Sequence, residues 1–146
     1  MEFRAADIAA AVGGTLSGPD VIVDGANFDS RLIRPGQLFI PVRGERDGHD
    51  FIDAARQGGA TATFSSRGTI DGLTTIEVAN VEAAFGALGA AARSRLPDRV
   101  AGITGSVGKT SSKDLAAAIL ARRYVATANE KSFNNELGVP LTLVNA

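Results

Sequence analysis

The chain has 146 residues, of which 45% are hydrophobic and 21% are charged, and its formal net charge is −1. This composition predicts a folded core of about one domain's size, and the near-neutral charge argues against binding to nucleic acid or to an anionic membrane. The absence of cysteine excludes disulfides and thiolate metal sites. The N-terminus does not resemble a signal peptide, and no apolar run approaches the ~18 residues of a membrane-spanning helix. We therefore expect a cytoplasmic protein that does not insert into membranes.

Helical and strand patterns alternate along the chain, which predicts an α/β fold. Stretches rich in β-branched and aromatic residues indicate strands, and apolar residues spaced by three and four indicate helices. The predicted elements are a helix at 4–12, strands at 21–28 and 37–42, a helix at 50–57, strands at 61–66 and 74–79, a helix at 81–96, a strand at 99–104, a helix at 109–123, a strand at 124–127 and a short apolar segment at 139–146.

Residues at the helix ends support these bounds. Gly13–Gly14 ends the first helix, and Pro97 ends the third. Asp50 is a candidate N-cap of the second helix, and Asn80 is a candidate N-cap of the third. Two apolar stripes are predicted to face the core: Ile8, Ala11 and Val12 on the first helix, and Val81, Ala84, Phe85, Leu88 and Ala92 on the third.

The stretch GITGSVGKTSSKDL, residues 102–115, has the residues of a phosphate-binding loop between a strand and a helix. Backbone N–H groups at a helix N-terminus bind phosphate, and Gly105 and Gly108 let the backbone approach it closely. Lys109 is placed to reach the β- and γ-phosphates, and the Thr110 hydroxyl is a candidate Mg²⁺ ligand. A lysine is informative here because 12 of the 15 basic residues are arginine.

One position departs from the strict pattern G-x-x-x-x-G-K-[ST], because Ile103 stands where that pattern has glycine. The alternative interpretation is an ordinary turn followed by a surface lysine. The stretch TGSVGKTSSKDL nevertheless resembles the nucleotide loop of the Mur ligases, whose pattern T-G-x-x-G-K-[ST] lacks that glycine. Two further stretches resemble the member of this family that adds D-alanyl-D-alanine: FDSRLIRPGQLFIPVRGERDGHDFIDAARQGGA at 28–60 and SFNNELGVPLTL at 132–143.

The resemblance implies ATP-dependent amide formation through an acyl phosphate. The implied cofactors are ATP and Mg²⁺, and the implied substrates are UDP-N-acetylmuramoyl-tripeptide and D-alanyl-D-alanine, with no obligate protein partner. Lys109 and Thr110 are the implied catalytic residues, with Thr110 on the metal, since such phosphoryl transfer depends on positioning and charge. The implied ATP-binding residues are Thr104, Gly105, Ser106, Val107, Gly108, Lys109, Thr110 and Ser111.

The resemblance also implies residues that contact the UDP-linked substrate. Ser30 and Arg31 suit a diphosphate, because a hydroxyl and a guanidinium both donate hydrogen bonds to it. Phe28 either packs on the uracil or sugar or belongs to the core. Arg46 is either a substrate contact or a solvated loop arginine.

Asn134 and Asn135 are implied to face the muramoyl-peptide, since an amide both donates and accepts hydrogen bonds. The alternative is that they form a turn ahead of a helix. His49, the only histidine, is expected to close a turn rather than to act as a base. The neighbouring aspartates show no metal-site pattern and are expected to form a capped, solvated helix end: Asp47, Asp50 and Asp53.

A new strand–loop–helix unit begins just after Pro97, which predicts a UDP-substrate-binding domain at 1–97 and the start of a P-loop-type, parallel-sheet ATP-binding domain at 98–146. The family's ATP domain is longer, so the resemblance implies an N-terminal fragment that is inactive alone. The alternatives are a Mur ligase that adds the third peptide residue, a non-catalytic UDP-sugar-binding module and an unrelated P-loop enzyme. Because an incomplete sheet exposes apolar surface, we expect residues 99–146 to pack on the first domain, to pair with another chain or to be poorly ordered.

Overall fold

The computed structural model of the chain describes residues 1–97, 99–129 and 136–146. Helices and strands alternate in it, which confirms the predicted α/β class. No helix in these ranges is long and apolar enough to cross a membrane. The elements are β1 (Glu2–Arg4), α1 (Ala5–Val12), β2 (Thr15–Ser17), β3 (Ile22–Asp24), β4 (Ala26–Asn27), β5 (Leu38–Phe39), a 3-10 turn (Gly48–Phe51), α2 (Ile52–Gln57), β6 (Ala62–Ser65), β7 (Thr74–Glu77), α3 (Val81–Arg95), α4 (Lys109–Leu120) and α5 (Gly138–Val144).

Five strands form the main sheet, in the order β2-β7-β6-β5-β4. The neighbours from β4 to β7 pair in parallel, and β2 pairs antiparallel with β7. β1 and β3 form a separate antiparallel pair. Because β4, β5, β6 and β7 run in the same direction, their carboxyl ends meet at one edge of the sheet. The segments that follow these strands therefore leave the sheet side by side.

The strand predicted at 21–28 is in fact two strands in two different sheets. Gly25 separates β3 from β4 and has a φ of 77°, a left-handed conformation that residues with a side chain rarely adopt. Val21, Ile22 and Val23 before Gly25 and Phe28 after it are typical strand residues, and for this reason the sequence pattern alone did not reveal the break.

The main core lies between the sheet and helices α1 and α3. All five residues of the predicted α3 stripe are buried, and the Asn80 side chain accepts a hydrogen bond from the Ala83 N–H at 2.7 Å. Both predictions for α3 are therefore confirmed. The predicted α1 stripe is partly wrong, because Ile8 is buried but Ala11 is exposed. Five of the eight residues of α1 are alanines, and they lie on several faces of the helix. Periodicity alone therefore did not define its buried face.

A smaller core covers the opposite face of the sheet. Leu38 and Ile40 belong to the main core, whereas Phe39 between them belongs to the second, as expected from the alternation of side chains along a strand. The second core packs α2 against the sheet through Ile52 and Ala55. The sheet is thus covered on both faces, and its strand ends are left for the loops.

The predicted N-cap at Asp50 is wrong. Asp47 instead caps the 3-10 turn, because its carboxylate accepts a hydrogen bond from the His49 N–H at 2.9 Å. α2 then begins at Ile52, with Phe51 at the N-cap position and no side-chain capping bond. An extra turn of 3-10 helix therefore precedes the α-helix, which moves the capping role three residues towards the N-terminus.

Residues 99–104 and 124–127 are fully described and form no strand, so this part of the prediction is wrong. A pair of short strands is marginal without further strands to complete a sheet. α4 forms as predicted but ends at Leu120 and buries none of its side chains. Its apolar residues Leu115 and Ile119 are 63% and 60% exposed.

Of the two helices that the structure describes within residues 99–146, α5 packs on residues 1–97, which is one of the three expected outcomes, whereas α4 buries none of its side chains. α5 lies against α3, and Val144 is 1% exposed within the main core. The two helices approach so closely that a Cβ on Gly89 would lie 2.8 Å from Cα of Pro140. The division of the chain into two domains near Pro97 remains a prediction.

Candidate functional site

Four loops leave the carboxyl edge of the parallel strands, where α/β sheets bind ligands. They follow β4, β5, β6 and β7, and they bring the predicted residues Phe28, Ser30, Arg31 and Arg46 to one edge of the sheet. A cavity of about 120 Å³ opens at this edge. Its lining residues are Pro41, Arg43, His49, Ser66, Ala79, Asn80, Val81 and Glu82.

The turn after β4 contains a two-point ion pair that the sequence analysis missed. Nε and Nη2 of Arg31 donate hydrogen bonds to the two carboxylate oxygens of Asp29, at 2.9 and 2.7 Å. The hydrogen bond from the Arg31 side chain is the largest cause that lowers the pKa of Asp29. The Arg31 side chain is 85% exposed, and its remaining N–H groups are available to an anionic ligand.

Asn27 orders the same turn from the end of β4. Its side-chain oxygen accepts a hydrogen bond from the Asp29 N–H at 3.0 Å, and its Nδ2 donates one to the Leu32 carbonyl at 3.3 Å. Phe28 is half-buried and packs against the main core, and Ser30 is half-buried. The spacing Asp-x-Arg is typical of a turn closed by an aspartate side chain, so a sequence signal for the Asp29–Arg31 pair did exist.

Asp47 is the centre of the loop that follows β5. Besides capping the 3-10 turn, its carboxylate accepts hydrogen bonds from Nδ1 of His49 at 2.7 Å and from Nη2 of Arg67 at 2.6 Å, and Nε of Arg43 lies 3.4 Å away. The hydrogen bond from the His49 N–H is the largest cause that lowers the pKa of Asp47. The prediction of a solvated Asp47 is wrong, because its side chain is only 20% exposed.

Both ring nitrogens of His49 form hydrogen-bond contacts within the protein. Nδ1 faces Asp47, and Nε2 lies 3.1 Å from the backbone nitrogen of Ser66, whose N–H donates to it. The tautomer that carries its hydrogen on Nδ1 satisfies both contacts. The His49 side chain is 4% exposed. It joins two loops of the site, in agreement with the predicted turn-closing role.

Arg46 lies at the tip of this loop and is exposed. Its guanidinium stacks on the Phe51 ring, with Cζ 4.5 Å from the ring centroid. A cation–π contact at an exposed position contributes about 0.5–1 kcal/mol, which is weak enough for a ligand to displace. The role of Arg46 in substrate binding remains a prediction.

The predicted phosphate loop leads into the N-terminus of α4, and its role in phosphate binding remains a prediction. Gly108 is the N-cap residue of α4 and has a φ of 81°, and no side chain caps the helix. The first N–H groups of α4 therefore have no side-chain acceptor and face solvent, as in helix N-termini that bind phosphate. Nζ of Lys109 contacts the Gly105 carbonyl, and Thr110 and Ser111 are exposed.

Two predicted features of the site stay untested. Asn134 and Asn135 lie outside the described residues. Within the described ranges, no group of three or more acidic or histidine side chains is arranged to hold a metal ion. The hydroxyl of Thr110 could serve as one ligand of a Mg²⁺ ion, because Thr110 is exposed at the phosphate loop and Mg²⁺ prefers oxygen ligands. Its role as a metal ligand remains a prediction.

Replacing Asp47 by asparagine is expected to lower the thermal unfolding midpoint at pH 7 but not at a pH far below the ordinary aspartate pKa of ~3.9. A carboxyl with a lowered folded-state pKa stabilises the fold above its unfolded pKa, and this contribution is lost as the pH falls through the folded value. Thermal unfolding across this pH range tests the prediction. The control is Asp53→Asn, since Asp53 is 74% exposed. If the unfolding midpoint of Asp47→Asn stays below that of the wild type at the acidic pH as well, the prediction is contradicted.

Comparison with known proteins identifies the family of the chain. A profile of the Mur ligase family, catalytic domain, matches residues 22–124, and a profile of the Mur ligase middle domain matches residues 103–146. The UDP-N-acetylmuramoyl-tripeptide–D-alanyl-D-alanine ligase of Escherichia coli is 42% identical over 91% of this chain and 30% of its own length. The Bacillus subtilis ligase of the same name is 37% identical over 94% of this chain and 32% of its own length.

Solved structures give the same relationship. The ligase MurF from Acinetobacter baumannii matches the whole chain with a TM-score of 0.87 and 27% identity, over 33% of its own length. The MurF ligase from Thermotoga maritima, solved in complex with ADP, matches 84% of the chain with a TM-score of 0.69 and 30% identity, over 29% of its own length. The chain thus spans about a third of the length of these relatives. The profile across residues 22–124 establishes that the chain belongs to the Mur ligase family, and the relatives at 37% and 42% identity agree with it.

Proposed function

We propose that the chain is the N-terminal part of a cytoplasmic peptidoglycan-precursor ligase that joins D-alanyl-D-alanine to UDP-N-acetylmuramoyl-tripeptide. The observation that carries the proposal is the presence, in one chain, of an uncapped phosphate loop and an exposed arginine at the carboxyl edge of the sheet. Relatives at 42% and 37% identity bear the name of this ligase. We further propose that this chain alone binds ligands but does not complete the reaction.

The proposed reaction has two steps. The terminal carboxylate of the tripeptide attacks the γ-phosphorus of ATP, which forms an acyl phosphate and releases ADP. The amine of D-alanyl-D-alanine then attacks the acyl carbon, inorganic phosphate leaves with the electron pair of the C–O bond, and the nitrogen loses a proton to solvent as the amide forms. Negative charge accumulates on the transferred phosphoryl group, so cationic groups and oriented N–H groups accelerate the first step.

The phosphate loop supplies such groups. The ammonium of Lys109 is held over the loop by its contact with the Gly105 carbonyl. The N-terminus of α4 adds oriented N–H groups and the positive end of the helix dipole. Thr110 would hold Mg²⁺, and the ion would supply further charge neutralisation when bound. These elements orient ATP and offset its charge.

The carboxyl edge of the sheet supplies the substrate side. The free N–H groups of Arg31 can hold one phosphate of the UDP group while Asp29 fixes the direction of the guanidinium. Ser30 offers a hydroxyl, Phe28 a ring edge, and Arg46 a second cation on the next loop. Asn134 and Asn135 are proposed to contact the muramoyl-peptide. The phosphate loop favours this ligase over a module that only binds a UDP-sugar, since such a module needs no ATP site.

Calorimetric titration with UDP-N-acetylmuramoyl-tripeptide tests the substrate side. The wild-type chain should bind, and Arg31→Ala should weaken binding by roughly tenfold or more, because a charge-assisted hydrogen bond contributes about 1.5–3 kcal/mol. Arg34→Ala is the matched control, since Arg34 is an exposed arginine three residues further on, in the turn that precedes β5 at the opposite edge of the sheet. No binding at millimolar ligand, or equal losses in both variants, would refute the proposed site.

A further inference from the structure

β4 is one of the two edge strands of the main sheet, and the backbone groups of one of its residues point away from the sheet. On the β5 side, the carbonyls of Gly25 and Asn27 accept hydrogen bonds from Leu38 and Ile40 at 3.0 and 2.9 Å. The N–H and carbonyl of Ala26, between them, therefore point outwards. Ala26 is 0% exposed, so water does not satisfy these groups, and a buried unpaired backbone group is costly.

The side chain of Asn145 satisfies both groups. Its Oδ1 accepts a hydrogen bond from the Ala26 N–H at 2.9 Å, and its Nδ2 donates one to the Ala26 carbonyl at 3.0 Å. A primary amide carries a donor and an acceptor side by side, so Asn145 acts as one residue of an additional strand. It covers the exposed edge of the sheet from a position 119 residues away in the chain.

Two neighbouring features hold this amide in place. Val144, the preceding residue, is buried in the main core at 1% exposure and anchors the end of α5. Gly25 leaves the space that the amide occupies, because a Cβ at Gly25 would collide with Oδ1 of Asn145. The contact thus depends on both a glycine and an asparagine.

A series of hydrogen bonds connects this contact to the candidate substrate site. Asn27, next to Ala26, holds the Asp29 N–H, and Asp29 holds the Arg31 guanidinium. We propose that Asn145 is a positioning residue: by fixing the edge strand β4, its amide sets the orientation of the 29–31 turn towards the UDP-linked substrate. This proposal rests on the proposed function for the identity of the ligand. It gives a residue downstream of the phosphate loop an indirect part in substrate binding, through β4 and the 29–31 turn.

The first test compares Asn145→Ala with Val144→Ala. Both weaken the docking of the same segment, but only Asn145→Ala removes the amide. Affinity for UDP-N-acetylmuramoyl-tripeptide is measured at a temperature at which all proteins are folded, together with amide hydrogen exchange of residues 26–31. Asn145→Ala should weaken binding roughly tenfold and accelerate that exchange. Val144→Ala should lower the unfolding midpoint but, because it keeps the amide, should weaken binding clearly less than Asn145→Ala does. Affinity losses that follow thermal stability in both variants would overturn the proposal.

The second test is rescue by an isosteric variant. Asn145→Asp keeps the shape but, when ionised, lacks the donor for the Ala26 carbonyl. Its protonated form regains a donor and an acceptor. Relative to the wild type at the same pH, the variant should bind weakly at about pH 7.5 and recover towards about pH 4.5, since a carboxyl beside a carbonyl is protonated more easily than usual. A deficit that does not change with pH would count against a role for the amide.

The two proposals fail in different ways. If the wild-type chain does not bind the UDP-linked ligand, the proposed function fails. Hydrogen exchange still tests the positioning role, because it needs no ligand. Unchanged exchange of residues 26–31 in Asn145→Ala would then overturn that role as well.

Discussion

Lys109→Ala is expected to abolish detectable binding of Mg-ATP to the chain. The Lys109 ammonium is the cation that the phosphate loop holds over its own backbone, through the Gly105 carbonyl. Loss of a charge-assisted contact of about 1.5–3 kcal/mol weakens binding roughly tenfold to a hundredfold. Wild-type binding is expected to be weak, so the measurement is a titration followed by NMR shifts of the amides of residues 104–111.

Lys113→Ala is the matched control for this experiment. Lys113 lies one turn further along α4 and carries the same charge, but its Nζ bonds to the Asn129 carbonyl at 2.6 Å and pairs with Asp114 at 3.0 Å. Its removal should leave ATP affinity within about twofold, since a screened charge outside the loop contributes little. Equal losses in both variants would show that general electrostatic attraction, rather than the loop, binds the nucleotide.

Gly48→Ala is expected to destabilise the fold by about 2–3 kcal/mol, the cost of overpacking a closed space. A Cβ at Gly48 would lie 2.5 Å from the carbonyl carbon of Pro41 and 2.5 Å from the carbonyl oxygen of Val42. These are backbone atoms, so no side-chain rotation relieves the overlap. The loop from 43 to 49 must then move away from the end of β5. Chemical denaturation measures the loss, and weaker binding of the UDP-linked ligand should accompany it.

Gly44→Ala controls for the loss of a glycine in the same loop. A Cβ at Gly44 meets no atom within 4 Å, so its effect on the free energy of unfolding should stay within about 0.5 kcal/mol. If Gly48→Ala is as stable as Gly44→Ala, the predicted overlap between a Cβ at residue 48 and the backbone of Pro41 and Val42 is contradicted.

Several features could be predicted because their causes lie within a few residues. Asn80 caps α3 by bonding to Ala83, three positions away. The α3 stripe follows from helical periodicity, and Gly108 and Lys109 mark the start of α4 in the phosphate loop. These contacts form whenever the local helix forms. The sequence therefore indicated them without knowledge of the rest of the fold.

Features that depend on distant partners were missed or misassigned. Asp47 caps in place of the predicted Asp50 because a 3-10 turn precedes α2, and its carboxylate is also held by Arg67, which follows a different strand. The strands predicted at 99–104 and 124–127 did not form, since a strand needs a paired neighbour and propensity does not supply one. Their β-branched residues satisfy the local pattern only.

The sequence by itself determined the α/β class, the phosphate loop and the family resemblance, because these reside in local periodicity and in short ordered motifs. Only the tertiary structure decided which side chains hold the edge strand and the loops beside the candidate site. Asn145 reaches Ala26 across 119 positions, and His49 reaches Ser66 across 17. Such contacts depend on how helices and strands pack, and packing is set by the burial of whole apolar faces rather than by any single stretch of residues.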